Sequence, residues 1–360
     1  MTDAIVHFLV PDGIDDGERV SGGNVYDRRL ADGLRARGLD VRVVPIAVHR
    51  VTDAARVMSA LPPGALVLID GLLAVAASAV LDAHAGRLRI VVLAHMVAGA
   101  LHGAPGHART AERVALHAAR RVVTTSEWTR AELVARTLAE PDRIAVALPG
   151  TDPVTAASGP GSGGQLLCVG AVAPHKGQDV LVNALVGMTD LPGWRCTIAG
   201  SLDADREFVN RVRAVIRSNG IADRVALTGV LTGGRLEDAY RGAALVVAPS
   251  RSESYGMVVA DALARGIPVV AAHVGGIPEA IAGSRGGILT RPDDPVALRA
   301  VLRRWQADPG WGAVLKAEAM RSRAAFAART WDATAANVAA VLGELRPAPG
   351  VIEYERRRTA

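Results

Sequence analysis

Short, continuously apolar runs alternate with helix-length stretches of 3.6-residue periodicity along most of this chain. Residues 5–10 (IVHFLV) and 39–46 (LDVRVVPI) read as strands, and SGGNVYDRRLADGLRARG between them reads as a turn and a helix ending on Gly38. ALVLID, RIVVLA, RVVTTS and RIAVAL continue the series, each set apart by a helical stretch. Strands apolar on both faces and alternating with helices predict a parallel sheet covered on each side. The pattern stops in TDPVTAASGPGSGGQ, where Gly, Ser, Pro and Thr replace any periodicity, and then it restarts. QLLCVGAV, WRCTIAGS, RVALTGV, ALVVAPS and IPVVAA predict a second wound sheet, with helices at 177–186, 205–218, 235–240 and after Tyr255. Residues 293–329 read as helical, and Trp331, Ala335, Val338 and Leu342 stripe a last helix. The boundaries that follow are a first domain at 1–152, a linker at 153–164, a second domain at 165–328, a final helix at 329–346 and a tail at 347–360. Open wound sheets bind ligands at the carboxyl ends of their strands, so two such sheets facing each other would share one cleft.

Composition narrows the class. A length of 360 residues fits two domains, and aromatics at only 3% leave a core of Ala, Val, Leu and Ile packed between layers. The net charge of +5 is not concentrated: residues 1–152 hold 17 basic and 17 acidic side chains. Without a basic face or interleaved aromatics, nucleic-acid binding is not expected, while scattered arginines leave a peripheral membrane contact open. No apolar run reaches about 18 residues, and MTDAIVHFLVPDG lacks a signal peptide's basic region, which predicts a cytoplasmic protein without a transmembrane segment. Cys168 and Cys196 sit in apolar strand runs, as small buried hydrophobes do. Lys176 and Lys316 are the only lysines among 41 basic residues, so each is informative. Lys316 reads as exposed on an amphipathic helix, whereas Lys176 follows a strand and a proline.

The candidate chemistry centres on residues 248–281, APSRSESYGMVVADALARGIPVVAAHVGGIPEAI. Glu253 and Asp261 stand either side of Ser254, Tyr255, Gly256 and Met257, which should open a helix and turn free N–H groups toward a phosphate. Carboxylates flanking such a seat accept hydrogen bonds from hydroxyls rather than bind the phosphate, so the pattern fits a nucleotide sugar. Lys176, in GAVAPHKG, would neutralise a departing diphosphate across from that turn. Ser21-Gly22-Gly23-Asn24 lets backbone approach a ligand at a helix start, but it is not GxGxxG and no ribose acid ends the second strand, which counts against a dinucleotide site. His95, just after a strand, can donate to a sugar hydroxyl, or can serve as a satisfied core histidine. Gly275 to Glu279 should close the wall behind Glu253. No DxD-type loop or histidine cluster with ligand spacing is visible, so no metal is expected.

Together these residues resemble the family 4 retaining glycosyltransferases, a class with two facing Rossmann-like domains known as GT-B. The resemblance covers most of the chain: Gly22 and Gly23 match the first glycine loop, His95 the strand-end histidine, and VVTTSEWTRAEL the ATSxxT-like segment. ALPGTDP resembles the exit from the first domain, Gly170 to Gly177 the phosphate element, and Glu253 with Asp261 the E-x7-E pair. The resemblance implies transfer of a hexose-type sugar from a nucleoside-diphosphate sugar to a hydroxyl acceptor with retention. No cofactor beyond that co-substrate is implied, and the leaving phosphate would take the acceptor proton on the same face. It implies that Gly22 and Gly23 approach the donor phosphates or the acceptor, that His95 contacts the donor sugar, and that Lys176 holds the diphosphate. Glu253 would accept from sugar hydroxyls, Asp261 from the ribose, and the amides around Tyr255, Gly256 and Met257 would bind phosphate. Acceptor choice would lie in first-domain loops such as 102–110, hinge motion near 158–164 and Arg329, and the last helix would return to the first domain. Two positions depart from the family: its phosphate-binding arginine is Ala171, and its second glutamate is Asp261. A nucleotide-sugar epimerase of the same architecture and a non-catalytic nucleotide-sugar binding protein remain the alternatives.

Overall fold

The computed structural model describes residues 5–17, 20–100, 106–157 and 164–345. The tail at 347–360, the second half of the linker and the first part of the 102–110 loop lie outside these residues.

In the first lobe, six parallel strands form one sheet: β1 (Val6–Pro11), β2 (Val41–Ile46), β3 (Leu66–Asp70), β4 (Arg89–Ala94), β5 (Arg121–Thr124) and β6 (Ile144–Val146). Helices α1 (Gly22–Ala36), α2 (Val51–Ala60), α3 (Gly71–Ala76), α4 (Ser78–His84), α5 (Gly106–Ala118) and α6 (Glu127–Ala135) connect them. Every residue of β3 is buried, which is why the strand carries no polar alternation: helices cover it above and below. The second lobe repeats the plan with β7 (Gln165–Val169), β8 (Arg195–Ala199), β9 (Val225–Gly229), β10 (Leu245–Ala248), β11 (Val269–Ala272) and β12 (Gly287–Thr290). Its helices are α7 (Gln178–Val186), α8 (Arg206–Ser218), α9 (Gly233–Gly242), α10 (Met257–Ala264), α11 (Ile277–Ile281), α12 (Pro295–Ala307) and α13 (Pro309–Ala327). The helical stretch predicted over 293–329 forms as two helices. Asp308 ends the first and caps the second, its carboxylate accepting from Trp311 N at 2.9 Å, and Pro309 cannot continue the earlier helix.

Strand order places the chemistry. The first sheet runs β2-β1-β3-β4-β5-β6 and the second β12-β11-β10-β7-β8-β9. Winding reverses between β1 and β3 in one lobe and between β7 and β10 in the other, and a crevice opens at each reversal. The loop after β1 leads into the Gly22 turn and the end of β3 holds Asp70, while the loops after β7 and β10 hold Lys176 and Glu253.

The chain crosses back after α13. Helix α14 (Trp331–Glu344) packs on α1, burying Ala335, Val338 and Leu342 against Tyr26, Leu30 and Leu34. Gly33 permits the approach, since a Cβ there would lie 2.6 Å from that of Ala335. The two crossings run side by side: Thr151 N donates to Arg329 O at 2.6 Å and Thr151 bridges Thr330. Among the described residues no helix is long and apolar enough to cross a membrane.

Candidate active site

Backbone geometry delivers Lys176 and Glu253 to the same point. After β7 the chain passes a single 3-10 turn, Pro174–Lys176, and reverses at Gly177, whose φ of 67° favours glycine. A Cβ at Gly177 would meet Pro249 O at 2.2 Å, so this turn is clamped against the loop that leaves β10. Lys176 Nζ then donates to Glu253 Oε2 at 2.6 Å, with about a quarter of each side chain exposed. An ammonium has three donors, so Nζ can keep Glu253 and still offer two to an incoming phosphate.

Neither neighbour that could replace the missing arginine at 171 is available. Arg251 is spent on both oxygens of Asp179 (2.8 and 2.9 Å), on Asp293 (2.8 Å) and on Pro174 O (2.7 Å), which hold its guanidinium above the usual value. His175 is kept below its ordinary pKa, first by burial and then by Lys176, so at neutral pH it carries little charge. Its carbonyl is occupied by Arg251 N and Ser252 N.

The turn from Glu253 to Met257 is pinned from three sides. Gly276 N donates to Glu253 O at 3.0 Å, and a Cβ on Gly275 would fall 1.7 Å from that oxygen. Ser126 Oγ, from the other lobe, donates to Ser254 O at 2.6 Å. Tyr255 is buried, its hydroxyl accepting from Arg329 Nη1 at 3.0 Å. The helix begins at Met257 rather than at Ser254, because Gly256 stands before it with a φ of 101°. Its dipole and unpaired amides therefore start at the end of the predicted turn, while Ser254 and Tyr255 anchor the loop. Asp261 lies one turn further along α10, 4.0 Å from Arg265 Nη1, with no bond to Glu253 or Lys176 among the described residues. Burial pushes its carboxyl up to about 7; Arg265 opposes the shift, while Asp152 and Glu237 add to it.

The first lobe supplies the facing wall. Ser21 caps α1 through Asn24 N at 3.1 Å, and Gly22 and Gly23 form the helix's first positions. A Cβ on Gly22 would lie 3.5 Å from Met257 Sδ across the cleft, and one on Gly23 would lie 3.5 Å from His95 Cδ2. The glycine turn thus fills the space between His95 and the start of α10. His95 Nε2 is 2.7 Å from Asp27 Oδ1 and 3.4 Å from Asp70 Oδ2. Sequence reasoning missed both acids. Asp70 had a readable sign, a carboxylate closing an apolar strand, whereas Asp27 lies on the face of α1 that also buries Tyr26, Leu30, Ala31 and Leu34.

A second cross-lobe contact was also missed. Glu279 of α11 accepts from Glu127 N (3.1 Å) and Trp128 N (3.2 Å), so its carboxylate sits on the N-terminus of α6. Beside this contact opens a groove of about 520 Å³ between the lobes, lined by Trp128, His273, Val274 and Pro278.

Comparison with known proteins bears on the family and the fold. Residues 163–308 match the family described as glycosyl transferases group 1. A D-inositol 3-phosphate glycosyltransferase from Acidothermus cellulolyticus is 36% identical over 277 residues, 71% of this chain and 58% of that protein. The chain thus spans less than two thirds of that relative's length. Among solved structures, a sucrose-phosphate synthase from Thermosynechococcus elongatus superposes with a TM-score of 0.79 at 21% identity, covering 95% of this chain and 98% of that one. Anabaena HepE in complex with UDP and glucose gives 0.73 at 18% identity, covering 94% and 99%.

Proposed function

We propose that this chain, which belongs to the family 4 glycosyltransferases and has their GT-B fold, moves a sugar from a nucleoside-diphosphate donor to a hydroxyl acceptor. The observation that carries the reading is the Lys176–Glu253 pair at the β7/β10 crevice, beside the start of α10 and opposite His95. A diphosphate there meets one cation and a helix N-terminus, and the hydroxyls of its sugar meet the free oxygen of Glu253. The name of the A. cellulolyticus relative favours a phosphorylated polyol as the first acceptor to try, and the ligands of HepE favour a UDP-sugar as donor.

The transfer proceeds with retention and without a metal. Same-face attack needs no enzyme nucleophile: the departing phosphate oxygen accepts the acceptor's proton as the new glycosidic bond forms and the old C–O bond breaks. Lys176 and the amides at Met257 stabilise the charge that develops on the diphosphate. Because Arg251 and His175 are engaged or neutral, Lys176 carries this task without a second side-chain cation from these loops. Replacing it should cost about 10² to 10³ in rate, the usual loss for one preorganised donor. Release of nucleoside diphosphate, measured for wild type and Lys176→Ala with and without acceptor, is the test. Near wild-type turnover by the variant refutes the role, and donor conversion that never needs acceptor indicates an epimerase. Full activity in EDTA is expected as well.

A further inference from the structure

Three titratable side chains meet at the first lobe's switch point, from three different elements: Asp27 from α1, Asp70 from the end of β3 and His95 from the end of β4. Asp27 and Asp70 are almost wholly buried, and only a tenth of the His95 side chain is exposed. Both carboxylates address the same ring nitrogen, Nε2, at 2.7 and 3.4 Å. An ionised carboxylate only accepts, so Nε2 must carry the proton. Asp70 is held in place by its other oxygen, which accepts from Leu72 N (2.8 Å) and Leu73 N (3.1 Å) at the start of α3.

Asp27 is less well provided for. Its Oδ2 is buried with no hydrogen-bond partner, so His95 is its principal source of stabilisation. A buried carboxylate in that position is costly unless the group beside it is charged. The ring itself cannot turn away: Tyr26 packs edge-on at 5.1 Å and Gly23 lies against the Cδ2 edge. The other polar groups near it are already engaged. The Tyr26 hydroxyl donates to Ala147 O, and Glu112, across the turn that follows His95, accepts from Ala98 N and Gly99 N. Nδ1 of His95 has no hydrogen-bond partner among the described residues.

We propose that Asp27 and Asp70 are positioning residues that hold His95 as an imidazolium, leaving its Nδ1–H as a charged donor for a substrate oxygen in the cleft. The assignment to a donor-sugar or acceptor oxygen rests on the glycosyltransferase reading above; the charged state of His95 does not. A charged donor makes a shorter and stronger hydrogen bond than a neutral imidazole. It would favour an oxygen that gains negative charge during transfer, at no cost in reorganisation. Burial works against the charge on His95, but the charge and hydrogen bond of Asp27, and then Asp70, outweigh it and raise its pKa. A cation at the same spot would need the three ligand atoms to draw apart, because 2.7 Å is the spacing of two atoms sharing a proton.

The test is a histidine NMR titration of the full chain without substrate, with the His95 signals assigned by their loss in His95→Gln. Wild type should show His95 doubly protonated at pH 7. Asp27→Asn should lower its pKa by about one to three units, as removal of an adjacent opposite charge does, and Asp70→Asn by less. Circular dichroism melts check that the variants fold, and either variant suffices if the other does not. In donor-turnover assays the alkaline limb of kcat/KM should move down by the same interval, which a merely structural role would not produce. A His95 neutral at pH 7 in wild type, or a pKa unmoved in both variants, overturns the proposal. So does a His95 spectrum that changes on adding stoichiometric Zn²⁺ or EDTA. If the titration behaves as stated but no donor is turned over, the clamp stands and the transferase reading fails.

Discussion

At the scale of single residues, the central fact is that Lys176 and Glu253 neutralise each other. The ion pair keeps both groups solvated by one another and sets the ammonium where a diphosphate would arrive. Glu253→Gln keeps the shape but frees Lys176 from its counter-charge. Nucleotide binding by titration calorimetry should therefore be retained or tightened while transfer is lost. Abolished nucleotide binding would move Glu253 away from the sugar. Lys176 was legible because it is one of two lysines and follows a strand end; Glu253 was legible because a glycine turn follows it. Asp27 was not, since an acid on a buried helix face looks in one dimension like any surface acid.

At the scale of elements, α11 and α6 form a latch. Two backbone N–H groups at the start of α6 find their acceptor in Glu279 of the other lobe, instead of in a local side chain alone. Hydrogen bonds to a charged group contribute roughly 1.5 to 3 kcal/mol when well shielded, and less here because Glu127 is exposed. Glu279→Ala should open the two lobes in solution, read as a larger radius of gyration by X-ray scattering without nucleotide. An unchanged scattering curve would show that the Ser126–Ser254 bond and the Thr151–Arg329 crossing hold the lobes unaided. The helices themselves were largely readable from periodicity. The Asp308–Pro309 break carried its own sign, a cap residue followed by proline.

At the scale of the whole molecule, three groups whose charge is poorly hydrated, Asp70, Asp261 and His95, make stability depend on pH in one direction. Burial raises Asp70 to about 6, against the pull of His95, and Asp261 to about 7; His95 is raised by its carboxylates. Each holds its proton more tightly folded than unfolded, so each adds stability at low pH that disappears as pH climbs through the folded pKa. For the two aspartates the window runs from about 4, the unfolded value, to 6 and 7. Asp261→Asn should thus match wild type most closely near pH 4, gain on it up to pH 7, and hold a constant advantage above. Thermal melts across that range would show it, and parallel curves for the two proteins would contradict it.

The sequence by itself determined the two wound sheets and the loops that carry Lys176, Glu253 and His95, because each is set by local periodicity and by which residues end a strand. The engagement of Arg251, the latch on α6 and the carboxylate pair around His95 were decided by tertiary structure alone. They depend on groups brought together from distant positions, Asp27 and Asp70 with His95, Glu279 with Glu127, Arg251 with Asp179. Strand order makes those neighbours, and strand order is a property of the folded sheet that no stretch of the chain contains.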